Sequence, residues 1–310
     1  MKRLFIVTFS FVFIFIFSAC QDSSVPKISE KASPSVGDSI IVNPVKTENR
    51  WGYIDKTGKY VINPQFNNAG SFSDGLAPVQ LGNKWGFIDK AGKYVINPQF
   101  DGAWLFSDGL APVILRNKWG FIDKAGKYVI NPQFDGAWLF SDGLAPVQLE
   151  NKWGFIDKTG KYVINAQFEQ AYRFSDGLAP VQLGNKWGYI DKAGKYVINP
   201  QFDGAWLFSD GLAMVKRENR WGYIDKAGKY VINPQFDGAW LFSEGLAPVK
   251  LGNKWGFIDQ AGKYVINPQF DGAWLFSDGL APVQLGNKWG FIDKTGKYVI
   301  NPQFDMIHFL

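Results

Sequence analysis

The sequence predicts an all-β protein built from eight tandem meanders of 34 residues, and three observations carry that prediction. Trp-Gly recurs at Trp51, Trp85, Trp119, Trp153, Trp187, Trp221, Trp255 and Trp289, always 34 residues apart. An unbroken period of that length marks a repeat architecture, in which each unit is too small to bury a core alone and stacks on its neighbours. Aromatic residues make up 17% of the 310-residue chain and there are 34 glycines, a composition of short strands joined by tight turns. Each copy also breaks into three apolar runs separated by turn-forming residues, the pattern of successive hairpins.

Residues 76–109 show the elements in order. The first strand runs from Leu76 to Leu81, and Gly82-Asn83 follows it, a pair that tolerates positive φ and suits a primed hairpin turn. The second strand, Lys84 to Asp89, sets Trp85, Phe87 and Asp89 on one face and Gly86 and Ile88 on the other. Both faces carry apolar groups, which predicts cover on both sides. Asp89-Lys90-Ala91-Gly92 is a turn, with Asp to bond the backbone ahead and Gly for the left-handed position. The third strand starts at Tyr94 and is expected to stop at Asn97-Pro98, because proline has no N–H for the ladder. The connector Asp101-Gly102-Ala103-Trp104-Leu105-Phe106 reads as a short fourth strand or an irregular edge, and Ser107-Asp108-Gly109 turns the chain into the next copy. Trp85, Phe87, Tyr94, Ile96, Phe100 and Phe106 are the expected core of this unit.

The array is expected to span residues 42–310. Val42-Asn43-Pro44-Val45 lies one period before Leu76-Ala77-Pro78-Val79, and residues 305–310 end in the connector register, so eight whole units result. Neither end reads as lent to the other. An open superhelical, solenoid-like stack is therefore the first expectation, with a closed eight-bladed β-propeller ring as the alternative.

The segment Lys-Trp-Gly-Phe-Ile-Asp-Lys-x-Gly-Lys-Tyr-Val-Ile-Asn-Pro-Gln-Phe, as at residues 84–100, resembles the WG, or KWG, repeat of bacterial and especially spirochaetal proteins. The likeness covers residues 42–310; Ala166 and Met214 replace proline and Glu244 replaces Asp in single copies. It implies a tandem, often exported, β-rich protein, and brings no settled activity, catalytic residue or cofactor.

Before the array, Lys2 and Arg3 precede an apolar run from Leu4 to Phe17, then Ser18, Ala19 and Cys20. Residues 1–19 have the layout of a secretory signal peptide, and about 16 apolar residues are short for a membrane span. Cys20 is the only cysteine, so no intramolecular disulfide is available. Its setting resembles the lipobox of bacterial lipoproteins, which implies lipid attachment at Cys20, a membrane partner through that lipid, and a place in the bacterial cell envelope. Residues 20–41 then hold the lipidated cysteine and a flexible tether: 21–39 are polar, with Ser and Pro and without hydrophobic periodicity.

Removing residues 1–19 takes away Lys2 and Arg3 and lowers the formal net charge from +5 by two, to +3. So small a surplus gives no case for a nucleic-acid partner. The eight aspartates from Asp55 to Asp293 sit one per turn beside a lysine or glutamine, whereas calcium needs six to eight oxygens from closely spaced ligands. Turn formation explains them. His308 is the only histidine, and at the last connector it reads as a polar cap. No metal, no cofactor and no catalytic constellation is expected, because a repeated motif offers copies of one environment where catalysis needs unlike groups together.

The connector aromatics are the exception. Trp104, Trp138, Tyr172, Trp206, Trp240 and Trp274 recur at one position, which Gly70 and His308 also occupy. A buried site would resist that spread of volume and polarity, so these rings are expected to be partly exposed and able to stack on sugars or anchor a protein. The predicted function is a non-catalytic envelope lipoprotein whose repeat surface binds a protein or polysaccharide. The alternatives are a structural spacer and a carbohydrate-binding lectin.

Overall fold

A computed structural model describes residues 43–47, 49–55 and 59–304. The signal segment, Cys20, the tether and His308 lie outside them. The first sheet contains β1 (Asn43–Thr47), β2 (Arg50–Ile54) and β3 (Tyr60–Phe66), antiparallel in that order. The second contains β4 (Asn68–Ala69), β5 (Ala77–Leu81), β6 (Lys84–Ile88) and β7 (Tyr94–Phe100), again in chain order. Six more four-stranded sheets follow, over residues 102–134, 136–168, 170–202, 204–236, 238–270 and 272–304.

These eight sheets are the blades of a β-propeller. That is the ring alternative of the sequence reading, and the open superhelical array is corrected. The physical reason is the fourth strand. The connector of one repeat does not stay on its own sheet as an edge but crosses over and pairs with the next, Gly102 facing Ile114 and Ala103 facing Val113. Each repeat is thereby stitched into its successor, and blades repeat radially with both broad faces covered.

Seven hydrophobic clusters fill the seven junctions between successive blades. At the second junction Phe87, Ile96 and Phe100 meet Ala111, Val113 and Ile122 of the next blade, with the connector's Phe106 between them. Ile88, on the opposite face of β6, packs backwards against Tyr53, Ile62 and Phe66. Each fully buried Phe or Ile contributes about 1.5–3 kcal/mol from removal of apolar surface, so the junctions hold units that could not stand alone. Trp85 and Tyr94, expected in the core, are half-buried and pack at cluster margins.

The third strand does not end at Asn97-Pro98. It runs on to Phe100, with Trp85 opposite Phe100 but Phe87 opposite Ile96, a bulge that bows Asn97, Pro98 and Gln99 across Gly86. Proline is accommodated because a bulge, and an edge strand, need no ladder N–H there. The bow explains the glycine of Trp-Gly. A Cβ on Gly86 would collide with the Ile96 carbonyl oxygen and lie 2.7 Å from the Pro98 nitrogen.

The turns follow their chemistry. The two-residue hairpin between Leu81 and Lys84 is of the primed type: in equivalent turns Arg116 and Asn117, and Glu150 and Asn151, all have φ between 50° and 65°. At the next turn the Asp89 carboxylate accepts hydrogen bonds from the Ala91 and Lys93 amides, both at 2.9 Å.

Candidate binding face of the connector aromatics

The residues of the connector fall into two groups, those that tie blades together and those that face solvent. Ser-Asp-Gly ties. The Ser107 hydroxyl donates to the Phe140 carbonyl at 2.7 Å, and the Gly143 amide donates to the Asp108 carboxylate at 2.9 Å. The same pair of bonds joins other neighbouring copies, as from Ser73 to Phe106 and from Gly109 to Asp74. The connector aspartate ties as well. Asp101 accepts from Lys84 Nζ of the preceding blade and from the Arg116 amide of the following hairpin. Lys84, as the first cause, holds the Asp101 carboxyl below the usual aspartate range, and Lys118 and Lys186 do the same for Asp135 and Asp203.

Where a copy has Tyr in place of Phe after Trp-Gly, the buried hydroxyl reaches the connector backbone. Tyr189 donates to the Trp206 carbonyl at 2.8 Å and Tyr223 to the Trp240 carbonyl at 2.7 Å. Burial pushes the pKa of both phenols far up. Tyr223→Phe should lower stability by about 1 kcal/mol, the net worth of one such bond. Urea unfolding of the two proteins checks this, and an unchanged midpoint would show that the hydroxyl is neutral.

The six predicted aromatics lie partly exposed at the connectors, and the structure brings them together blade by blade. Trp104 and Trp138 are 42% and 41% exposed, and Tyr172, Trp206, Trp240 and Trp274 are half-buried. Ring centroids of successive connectors are 6.4 Å apart for Trp138–Tyr172 and 4.8 Å for both Tyr172–Trp206 and Trp240–Trp274. Two connector rings also meet the Trp of Trp-Gly in their own blade: Trp104 lies 4.7 Å from Trp119, and Tyr172 stacks on Trp187 at 5.2 Å with planes 5° apart. The Trp of Trp-Gly is thus part of this face rather than the centre of the core. Of the eight, only Trp153 and Trp187, at 8%, are buried.

The result is a row of rings at the connectors from Trp104 to Trp274, in contact along Trp138–Tyr172–Trp206 and at Trp240–Trp274, with Gly70 in the place of a ring before the first of them. There the second blade lacks its connector ring, and a groove of about 450 Å³ opens beside Trp85, Trp104, Pro78 and Ile114. A second cavity, of about 710 Å³, lies by Asp210, Glu244 and Asp259. Its carboxylates are engaged in the blade ties: Asp210 accepts from the Gly245 amide and Asp259 from its own turn.

One set of exposed residues escaped the sequence reading. Val95, Asn97 and Gln99 all point outward from β7, and Val-Asn-Gln stands at the equivalent places in all eight copies. Ending the strand at Asn97-Pro98 hid their alternation. Continuing the period of two through the proline would have placed all three on the solvent face.

No curated protein matches the chain in sequence. Among solved structures it is similar to a eukaryotic initiation factor, with 11% identity, a TM-score of 0.60 and 84% of each chain covered. It is also similar to the dihydro-heme d1 dehydrogenase NirN in complex with DHE, at 12% identity and a TM-score of 0.53, over 86% of this chain and 74% of that one. At such identities the likeness is one of fold. The WG containing repeat matches at residues 51–85, 85–119, 119–153, 153–187, 187–221, 221–255, 255–289 and 289–310. With eight consecutive matches covering most of its length, the chain belongs to the WG containing repeat family.

Proposed function

We propose that the protein is a non-catalytic binding scaffold of the bacterial cell envelope, held to the membrane by lipid at Cys20, and that its band of connector aromatics binds a polysaccharide or an extended protein. One observation carries the reading: a repeated, half-exposed row of rings, with spacings of 4.8 to 6.4 Å between successive connectors, on connectors whose Ser and Asp hold neighbouring blades together. Rings keep apolar faces available at low cost in side-chain entropy, which suits stacking on sugars and anchoring of partner chains. The Gly70 groove flanked by Trp85 and Trp104 gives such a ligand a place to enter between rings.

The test is binding by the full chain to a glycan array and to partners drawn from an envelope extract, followed by titration of intrinsic tryptophan fluorescence with whatever binds. Trp104→Ala with Trp138→Ala should weaken binding at least tenfold, on the scale of one lost hot spot at roughly 1.4 kcal/mol or more, and leave the unfolding temperature nearly unchanged. Unchanged affinity in that variant overturns the site. If nothing binds at all, the structural-spacer reading takes its place, and steady turnover abolished by a single substitution would overturn the non-catalytic one. Mass spectrometry of the mature N-terminus tests the anchor, which an unmodified Cys20 or a retained leader would refute.

A further inference from the structure

We infer that the ligand of the connector rings is an acidic polysaccharide, its sugar rings stacking along Tyr172, Trp206 and Trp240 and its anionic substituents pairing with Arg173, Lys216 and Lys250. The inference rests on the binding role proposed above and names the chemistry of what is bound.

The three cations are departures from the repeat. Leu105, Leu139, Leu207, Leu241 and Leu275 occupy the place that Arg173 takes in blade 5. At the place of Lys216 and Lys250, four blades have Gln80, Gln148, Gln182 and Gln284, blade 3 has Ile114 and blade 1 has Lys46. A fold that accepts Leu, Gln and Ile at these positions does not need the charges. They fall in three successive blades, 5 to 7, beside the rings.

Lys216 faces both Gly204 of the connector and Trp221 of Trp-Gly, and its Nζ lies 5.8 Å from the Trp221 ring centroid. The connector glycine leaves room for both side chains: a Cβ on Gly204 would be 3.2 Å from the Lys216 Cβ and 3.5 Å from the Trp221 Cη2. Lys250 repeats this arrangement with Gly238 and Trp255, at 3.2 and 3.3 Å. Trp206 and Trp221 border the same core cluster, so the lysine and both rings share one surface. A lysine stem laid on apolar surface keeps its ammonium group in water. Arg173 is exposed and follows Tyr172 directly. Its equivalent Leu105 lines the groove with Trp104 and reaches 3.5 Å from where a Cβ on Gly70 would be. By that equivalence Arg173 stands beside Trp138, the ring in the place of Gly70.

These charges are surplus. The connector carboxylates of the same blades, Glu169, Asp203 and Asp237, are already paired with Lys152, Lys186 and Arg220. Lys186 first, and Lys216 more weakly, hold the Asp203 carboxyl below its usual range. Among the described residues Arg173, Lys216 and Lys250 form no ion pair, and Arg217 and Glu218 offset each other at the blade 6 hairpin. A neutral glycan would use the rings alone, and a polyanion without sugar rings the cations alone. An acidic glycan is complementary to both.

In the test the full chain is titrated by tryptophan fluorescence with polygalacturonate, alginate, hyaluronate and heparin. Fully methyl-esterified polygalacturonate is the uncharged counterpart, and poly-glutamate is an anion without sugar rings. One of the acidic glycans should bind tightest, and more weakly as ionic strength rises. Arg173→Leu with Lys216→Gln and Lys250→Gln, each a residue that other blades carry, should weaken that binding about tenfold, the sum of three partly exposed ion pairs. Its unfolding temperature should not change, and Lys216→Arg with Lys250→Arg should keep the affinity. Trp206→Ala with Trp240→Ala should weaken binding as well. If the esterified polymer binds as tightly as the best acidic glycan, or the triple variant is unaffected, the acidic ligand is overturned and the ring face stands. Loss in the triple variant with none in the Trp206→Ala, Trp240→Ala variant overturns the ring face and this inference with it. Tightest binding of poly-glutamate, or binding of no glycan in the set, also overturns the inference, and the ring face then rests on partners from the envelope extract.

Discussion

Gly188→Ala should be among the most damaging single-methyl changes in this protein, costing about 3 kcal/mol or more. Gly188 lies under the bowed third strand of blade 5, and a Cβ would sit 2.5 Å from the Ile198 carbonyl oxygen, 2.7 Å from the Pro200 nitrogen and 2.9 Å from the Asn199 carbonyl carbon. Each obstacle is backbone and cannot rotate aside. The bulge is held by Trp187 opposite Phe202 on one side and Tyr189 opposite Ile198 on the other, so relief would require breaking the ladder. Thermal unfolding followed by circular dichroism should show a fall of roughly 6–12 °C for a loss of that size. Gly177→Ala is the comparison. Gly177 has a φ of +83°, and a methyl added there would meet nothing within 4 Å, so its cost is only that of a left-handed alanine, about 1–2 kcal/mol. Equal falls for the two would mean that the crowding at Trp-Gly is not what requires glycine.

Phe174→Ala should cost about 3–5 kcal/mol, the range for emptying a large aromatic from a core. Phe174 is fully buried at the junction of blades 4 and 5, 5.0 Å from Phe155, among Ile164, Phe168, Val181 and Ile190. It belongs to the connector, so the cavity would open between two blades and weaken both. Trp138→Ala removes a larger ring from the same kind of segment, yet that ring is 41% exposed, and its loss should cost under about 1 kcal/mol, as for a surface position. Urea unfolding gives both values. Should Trp138→Ala prove as costly as Phe174→Ala, the connector rings are packing elements and the binding face is lost as an idea.

These two residues mark what could be read from the chain in advance. The number of units, the strand order, the primed hairpins and the Asp turns were legible because they depend on residues adjacent in sequence. Phe87, Ile96, Phe100 and Phe106 were legible as core for the same reason, their alternation being local. The exposure of Trp104 and Trp138 followed from comparing copies, since a position that accepts Gly, Tyr and Trp cannot be tightly enclosed. The placement of Trp85 failed because size and recurrence were read as burial, although an indole can cover a glycine at a sheet margin. The outward Val-Asn-Gln set failed because proline was read as a strand end rather than as part of a bulge.

By itself the sequence determined a β-meander repeated eight times, the turn chemistry of each copy, and the family to which it belongs, because a period and its punctuation are properties of neighbours along the chain. Only the tertiary structure decided that the connector leaves its own repeat for the next blade, that the blades repeat radially, and that Trp-Gly needs its glycine to pass a neighbouring backbone. Those outcomes depend on pairings between residues 10 to 35 positions apart, where many alternatives satisfy the local pattern and only close packing between blades selects one.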